Sequence, residues 1–125
     1  MHWGYWENPA KIEDTLAVLD VGCGFGGTLT SLQTKWQGLN LTGLNIDARQ
    51  LEVAKKHVPN ATFIEGDACA LPFKEALFDR VLAVECIFHF PSRLKFFQEA
   101  ARVLNPSGRI SLSDFIPRKQ DSSKS

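Results

Sequence analysis

The sequence predicts an α/β domain built on a parallel sheet, and three observations carry that prediction. Apolar, strand-like runs alternate with amphipathic stretches of about a dozen residues, the pattern of strand–helix–strand units with right-handed crossovers. The first run, "LAVLDV", breaks into "GCGFGG", which crowds Gly22, Gly24, Gly26 and Gly27 into the turn before the next helix. Residues of unusual chemistry gather at the strand ends, where ligands bind in open parallel sheets.

Residues 16–21 read as the first strand. A helix over 26–37 follows, with Leu29, Leu32 and Trp36 on one face. The run "LNLTGLNI" (39–46) is the second strand. The next helix spans 47–58, with Asp47 as N-cap, Ala48, Leu51, Ala54 and Val58 inward, and Pro59-Asn60 as the stop. "ATFIEG" (61–66) and "FDRVLAVEC" (78–86) are the third and fourth strands, joined by a segment too short for a long helix. Ser92 caps a helix running to Leu104, with Leu94, Phe97, Ala101 and Leu104 as its inward stripe and Asn105-Pro106-Ser107-Gly108 as its end. "RISLSDFI" (109–116) is the fifth strand. Residues 1–15 form a short leading segment, 16–117 the domain, and 118–125 a polar tail expected to be disordered.

A chain of 125 residues is one domain at most. Fourteen basic residues balance fourteen acidic ones without long runs of either sign. That argues against a nucleic-acid groove or an anionic membrane as main partner. The stretch "VLAVECIFHF" is interrupted by Glu85 and is too short to span a bilayer, and "HWGYWENP" is unlike a signal peptide. A soluble, cytoplasmic protein is the expectation. Cys23, Cys69 and Cys86 lack metal-ligand spacing and read as small thiols beside a crevice, with no metal site implied.

The glycine loop lets backbone approach a ligand closely and offers the N–H groups that open the next helix. Two spacings overlap there. Gly22-x-Gly24-x-x-Gly27 fits a dinucleotide fingerprint, whose pyrophosphate would take those N–H groups. Asp20-x-Gly22-x-Gly24-x-Gly26 places a fixed carboxylate at the loop, poorly placed beside a diphosphate and well placed near a cation or amine. The only tyrosine is Tyr5, so no Tyr-x-x-x-Lys hydride-transfer set occurs.

The motifs "VLDVGCGFGG", "LTGLNIDARQL", "GDACALPF", "FDRVLAVECIFHF", "RLKFFQEAARVLNPSGRI" and "LSDF" follow one another in order. Over residues 18 to about 117 the chain resembles the class I S-adenosylmethionine-dependent methyltransferases, most of all the subgroup that methylates small molecules such as sugars, polyketides, sterols and tocopherols. The opening "HWGYWE" is similar to a segment that precedes the first strand in these enzymes. The resemblance implies a Rossmann-like, doubly wound sheet of order 3-2-1-4-5, here lacking the usual last two strands and the N-terminal helices.

Its implications fall on particular residues. Asp20, Gly22, Gly24 and Gly26 would form the loop around the methionine part of S-adenosyl-L-methionine. Asn45 occupies a position where many members carry an acid that grips the ribose; it keeps an acceptor and loses the charge. Gln50 would share ribose recognition, although Asp47-x-x-Gln50 also has capping-box spacing. Ile46 would lie against the adenine face or belong to the core. Asp67 would accept from the adenine amino group and the Ala68 N–H would bind a ring nitrogen; a turn-forming Asp67 is the plainer reading. Glu85 would support the methionine moiety. Asp47, a candidate for a dinucleotide ribose, is more simply an N-cap.

Methyl transfer to a hydroxyl gains from a base, by about 10²–10⁴-fold in typical cases. His89 is the candidate, with Asp114 to orient it or act alone. The plainer readings are a histidine packed between Phe88 and Phe90 and an ordinary strand-end aspartate. A carbon or amine acceptor would need neither. With the fifth strand last, its edge is expected to need cover from a second copy or another chain. Three functions follow in order: a small-molecule methyltransferase, truncated relative to its family; a cofactor-binding remnant or partner-dependent subunit; and an NAD-type enzyme.

Overall fold

The computed structural model describes residues 16–84 and 91–113. Its elements are β1 (Ala17–Val21), α1 (Gly27–Lys35), β2 (Asn40–Asn45), α2 (Ala48–His57), β3 (Thr62–Glu65), β4 (Phe78–Val84), α3 (Arg93–Val103) and β5 (Leu104–Ser113). The strands form one sheet in the order β3-β2-β1-β4-β5, and every pair is parallel. The expected strand order is therefore the observed one.

Alternation along β1 sends side chains to two cores. Leu19 and Val21 pack with Leu44, Val81, Ala83 and the α3 residues Phe96, Ala100 and Val103. Val18 packs on the other face with Leu82, Leu41, and Leu29, Leu32, Leu51 and Val58 from α1 and α2. Burial on both faces explains why the strands read as near-continuous apolar runs. Gly43, at the centre of the α1/α2 face, has no room for a side chain: a Cβ there would lie 2.9 Å from both Cys23 Sγ and Leu29 Cδ1.

The expected caps on α2 and α3 form. Asp47 accepts from the Arg49 N–H at 2.9 Å, and the Ser92 hydroxyl accepts from the Lys95 N–H at 3.1 Å. Helix α1 is shorter than the span 26–37, because Trp36 leaves helical geometry and becomes its C-cap. Ala48 is exposed rather than inward, being the first residue of α2, before that helix has turned onto the sheet.

Two expectations about the last helix and strand need correction. The fully buried stripe of α3 is Phe96, Ala100 and Val103; of the expected stripe Phe97 and Leu104 are half-buried against the same core, while Leu94 is 68% exposed and Ala101 faces out. The chain also leaves α3 directly into β5 at Leu104, instead of passing through a separate turn at 105–108. Those residues are taken up as an irregularity in the β4–β5 ladder, where Phe78 pairs Leu104 and Arg80 already pairs Arg109. Asp79 holds this corner by accepting from the Ala17 N–H at 2.8 Å and from Asn105 Nδ2. The segment between β3 and β4 carries no helix, as its length implied. It is tied to α3 instead: Arg102 donates to the carbonyls of Phe73 and Leu71, and Glu99 accepts from the Leu71 N–H.

Candidate functional site

Strands β1, β2 and β3 end side by side, and the turns that leave them enclose a cavity of about 300 Å³. Gly22, Gly24, Leu44, Asn45, Ile46 and Gln50 line one part of it. Gly66, Asp67, Ala68 and Pro91 line the rest.

The glycine loop turns by left-handed backbone. Gly22, Gly24 and Gly26 have φ of 75°, 56° and 90°, values that cost other residues roughly 1–2 kcal/mol. The loop amides do not point outward as a phosphate cradle. The N–H groups of Gly22 and Cys23 both donate to the Leu44 carbonyl, at 2.7 and 3.0 Å, and the Gly26 N–H donates to the Cys23 carbonyl. The Gly24 N–H donates to Asn45 Oδ1 at 3.1 Å. The tip of β2 thus supplies acceptors for the amides of Gly22, Cys23 and Gly24, which leaves the expectation of open N–H groups to the start of α1. Gly26 does not line the cavity. It starts α1 and lies against α2, where a Cβ would approach Ala54 Cβ to 3.2 Å.

Asn45 is buried at the end of β2 and Gln50 sits half-buried on the first turns of α2. Asn45 Nδ2 donates to the Asp47 carbonyl at 3.2 Å and to Gln50 Oε1 at 2.8 Å. Gln50 Oε1 therefore meets Asn45 in the cavity wall, while the Gln50 backbone N–H also helps hold the Asp47 carboxyl below its ordinary value, which is one half of the capping box. Ile46 is 72% exposed at the cavity's lip, which removes its reading as a core residue. Asp67 closes a turn by accepting from the Cys69 N–H at 2.8 Å, the plainer of its two readings, and it also lines the cavity. Ala68 is buried in the wall beside it.

Asp20 lies beneath the loop, outside the lining. It is buried on the α1/α2 side of the sheet, paired in register with Gly43 and Leu82. Burial alone pushes its carboxyl up from 3.8 to about 7, since the charged form loses its water. Asp47 also stays out of the cavity, its carboxyl held below the ordinary value by hydrogen bonds from Arg49. Glu85, His89 and Asp114 lie outside the described residues. Sequence reasoning missed Leu44, Gly66 and Pro91 as lining residues. Gly66 was within reach of it: a strand-end glycine signals crowding, and a Cβ there would meet Leu44 Cδ1 at 3.0 Å.

Comparison with known proteins follows the same geometry. A family profile for the methyltransferase domain matches residues 19–112. The methyltransferase GfsG of Streptomyces halstedii is 35% identical over 145 aligned positions, which cover 94% of this chain and 51% of that protein. The chain belongs to the class I S-adenosylmethionine-dependent methyltransferases. A second methyltransferase relative, the 27-O-demethylrifamycin SV methyltransferase of Amycolatopsis mediterranei, is 33% identical over 93% of this chain and 51% of its own length. Among solved structures, the Haemonchus contortus phosphoethanolamine N-methyltransferase 2, in complex with phosphomonomethylethanolamine and S-adenosylhomocysteine, superposes with a TM-score of 0.72. It is 29% identical, over 78% of this chain and 24% of that one. The chain spans about half the length of the curated methyltransferases it matches.

The methyltransferase cavity suits an uncharged nucleoside better than a diphosphate. Among the described residues that line it none is Lys or Arg, and the N–H groups of Gly22, Cys23, Gly24 and Gly26 are already bonded. A pyrophosphate there would find no counter-charge among those residues and none of those four donors.

Proposed function

We propose that the chain binds S-adenosyl-L-methionine in the cavity at the tips of β1, β2 and β3 and transfers its methyl group to a small organic acceptor. The observation that carries this reading is the pairing of a cavity whose described lining holds the amides of Asn45 and Gln50 and no cation with a buried carboxyl group under its glycine loop. In this reading Gly22 and Gly24 allow the methionine part to lie against backbone, with Gly26 fixing where α1 begins. Asp20, raised by burial to about 7, would release its proton more readily beside the cationic ammonium and sulfonium and so balance their charge through a low-dielectric path. Asn45 and Gln50 stand at the ribose. Ile46 lies over the adenine face, Asp67 accepts from the adenine amino group and the Ala68 N–H meets a ring nitrogen, while Glu85 supports the methionine side.

When bound, the cofactor supplies an electrophilic methyl on a positive sulfur. The protein's work is then to align an acceptor and exclude water. For a hydroxyl acceptor, His89 takes the proton and Asp114 orients the imidazole, as the sequence led us to expect. The relatives' names include an oxygen-demethylated rifamycin and a phosphoethanolamine, so the same fold serves oxygen and nitrogen acceptors in those proteins. A second reading, a subunit that binds cofactor and acts only with a partner chain, is favoured by β5, which among the described residues pairs only with β4.

Titration calorimetry with S-adenosylhomocysteine and with NAD tests the first step. Binding of the former, weakened at least about tenfold by Asp20→Ala, is the expected result; binding of NAD alone overturns the proposal. Transfer of a labelled methyl group to a panel of hydroxylated acceptors tests the second. His89→Ala should slow turnover by about 10²–10⁴-fold, and unchanged turnover removes His89 as base.

A further inference from the structure

The side-chain amide of Asn45 has only one possible orientation, because two backbone groups of fixed character address it. The Gly24 N–H, a donor only, lies 3.1 Å from Oδ1. The Asp47 carbonyl, an acceptor only, lies 3.2 Å from Nδ2. Reversing the amide would set donor against donor at Gly24 and acceptor against acceptor at Asp47. With Asn45 so fixed, its remaining Nδ2 hydrogen meets Gln50 Oε1 at 2.8 Å. That engages the carbonyl half of Gln50 and leaves its NH2 group, two donors and no acceptor, as the polar end it offers. Gln50 lines the cavity, and Gly24 is its neighbour there, with a hypothetical Gly24 Cβ only 3.8 Å from Gln50 Oε1.

We propose that Asn45 is a positioning residue, a clasp that locks the glycine loop to the start of α2 and orients Gln50. Gln50 then reads a sugar hydroxyl as an acceptor and sets the polarity of the nucleoside subsite. The proposal rests on the nucleoside reading of the cavity and deepens it. It reverses the simple expectation for position 45. A carboxylate there would set an acceptor oxygen against both the Asp47 carbonyl and Gln50 Oε1, so Asn45→Asp harms binding although it installs the acid common in the family.

The experiment measures S-adenosylhomocysteine affinity by calorimetry for the full chain and for Asn45→Asp, Asn45→Ala, Gln50→Ala, Gln50→Glu and the double variant Asn45→Ala/Gln50→Ala. Amide deuterium exchange at Gly24 is followed in the free proteins. Asn45→Asp and both Gln50 variants should each bind about tenfold more weakly, the scale of one lost hydrogen bond. The double variant should lose no more than the sum of its parts allows for one shared interaction, that is, less than additively. Gly24 exchange should speed up in Asn45→Ala, which removes the acceptor, and stay protected in Asn45→Asp and Gln50→Ala, which keep it. Tighter binding by Asn45→Asp or Gln50→Glu overturns the clasp, and so does protected Gly24 exchange in Asn45→Ala. Should Asn45→Asp fail to fold, Gln50→Glu decides alone, because it keeps an acceptor toward Asn45 and replaces only the donor. If the unaltered chain binds no S-adenosylhomocysteine, the nucleoside reading fails, and with it the subsite proposal.

Discussion

Burial raises the Asp20 carboxyl from 3.8 to about 7, so the folded chain keeps a proton that the unfolded chain has already released. Between those two values the folded state binds more protons, and stability falls as pH rises, by roughly 4 kcal/mol in all. Asp20→Asn removes that dependence. Urea unfolding at a series of pH values should show the two proteins close at pH 4 and the variant increasingly the more stable up to about pH 7. A constant difference would mean the carboxylate is stabilised by groups other than water. The glycines separate two kinds of constraint. Gly24 has φ of 56° and a Cβ there would make only an ordinary contact, 3.8 Å from Gln50 Oε1, so Gly24→Ala should cost little beyond the backbone strain, about 1–2 kcal/mol. Gly43 lies in a regular strand, and Gly43→Ala drives a methyl group into Cys23 and Leu29, an overpacking cost of roughly 1–3 kcal/mol by the same measurement.

Helix α3 fixes one wall of the cavity from behind. Arg102 pairs with Glu99 at 3.0 Å and reaches the carbonyls of Phe73 and Leu71 at 2.7 and 2.9 Å, holding the segment that follows Asp67 and Ala68. Arg102→Ala should cost about 2 kcal/mol in denaturant unfolding and weaken S-adenosylhomocysteine binding, although Arg102 is not a lining residue. Unchanged affinity would show that the wall stands without the tie. The hydrogen bond from Arg102 also keeps the Glu99 carboxyl below its ordinary value, so this support is present near neutrality and is lost as pH falls through that lowered value. The face of α3 was the least legible feature of any element. Its sequence "RLKFFQEAARVL" carries apolar residues at 94, 97, 101 and 104 and again at 96, 100 and 103. A period of 3.6 residues admits either stripe, and only contact with Val81 and Ala83 selects the second.

At the scale of the molecule, β5 pairs only with β4 among the described residues. Leu112, level with Ala83 in the ladder, is 42% exposed. An edge of this kind invites strand addition, so the chain should self-associate at tens of micromolar in sedimentation velocity, and Leu112→Lys should return it to the monomer. Equal behaviour of the two proteins would place any contact elsewhere. The sequence by itself determined the order of strands and helices, the glycine turn and the end of the sheet where a ligand belongs. Those features follow from local periodicity, turn chemistry and the handedness of crossovers. Only the tertiary structure decided that the amides of Gly22, Cys23 and Gly24 turn onto Leu44 and Asn45, that Gln50 Oε1 meets Asn45, and that burial pushes the Asp20 carboxyl up to about 7. Each of these depends on groups far apart in the chain, as Gly24 and Asn45 are by 21 positions. A hydrogen bond or a lost hydration shell is set by which atoms the fold brings together, and no run of neighbouring residues encodes that.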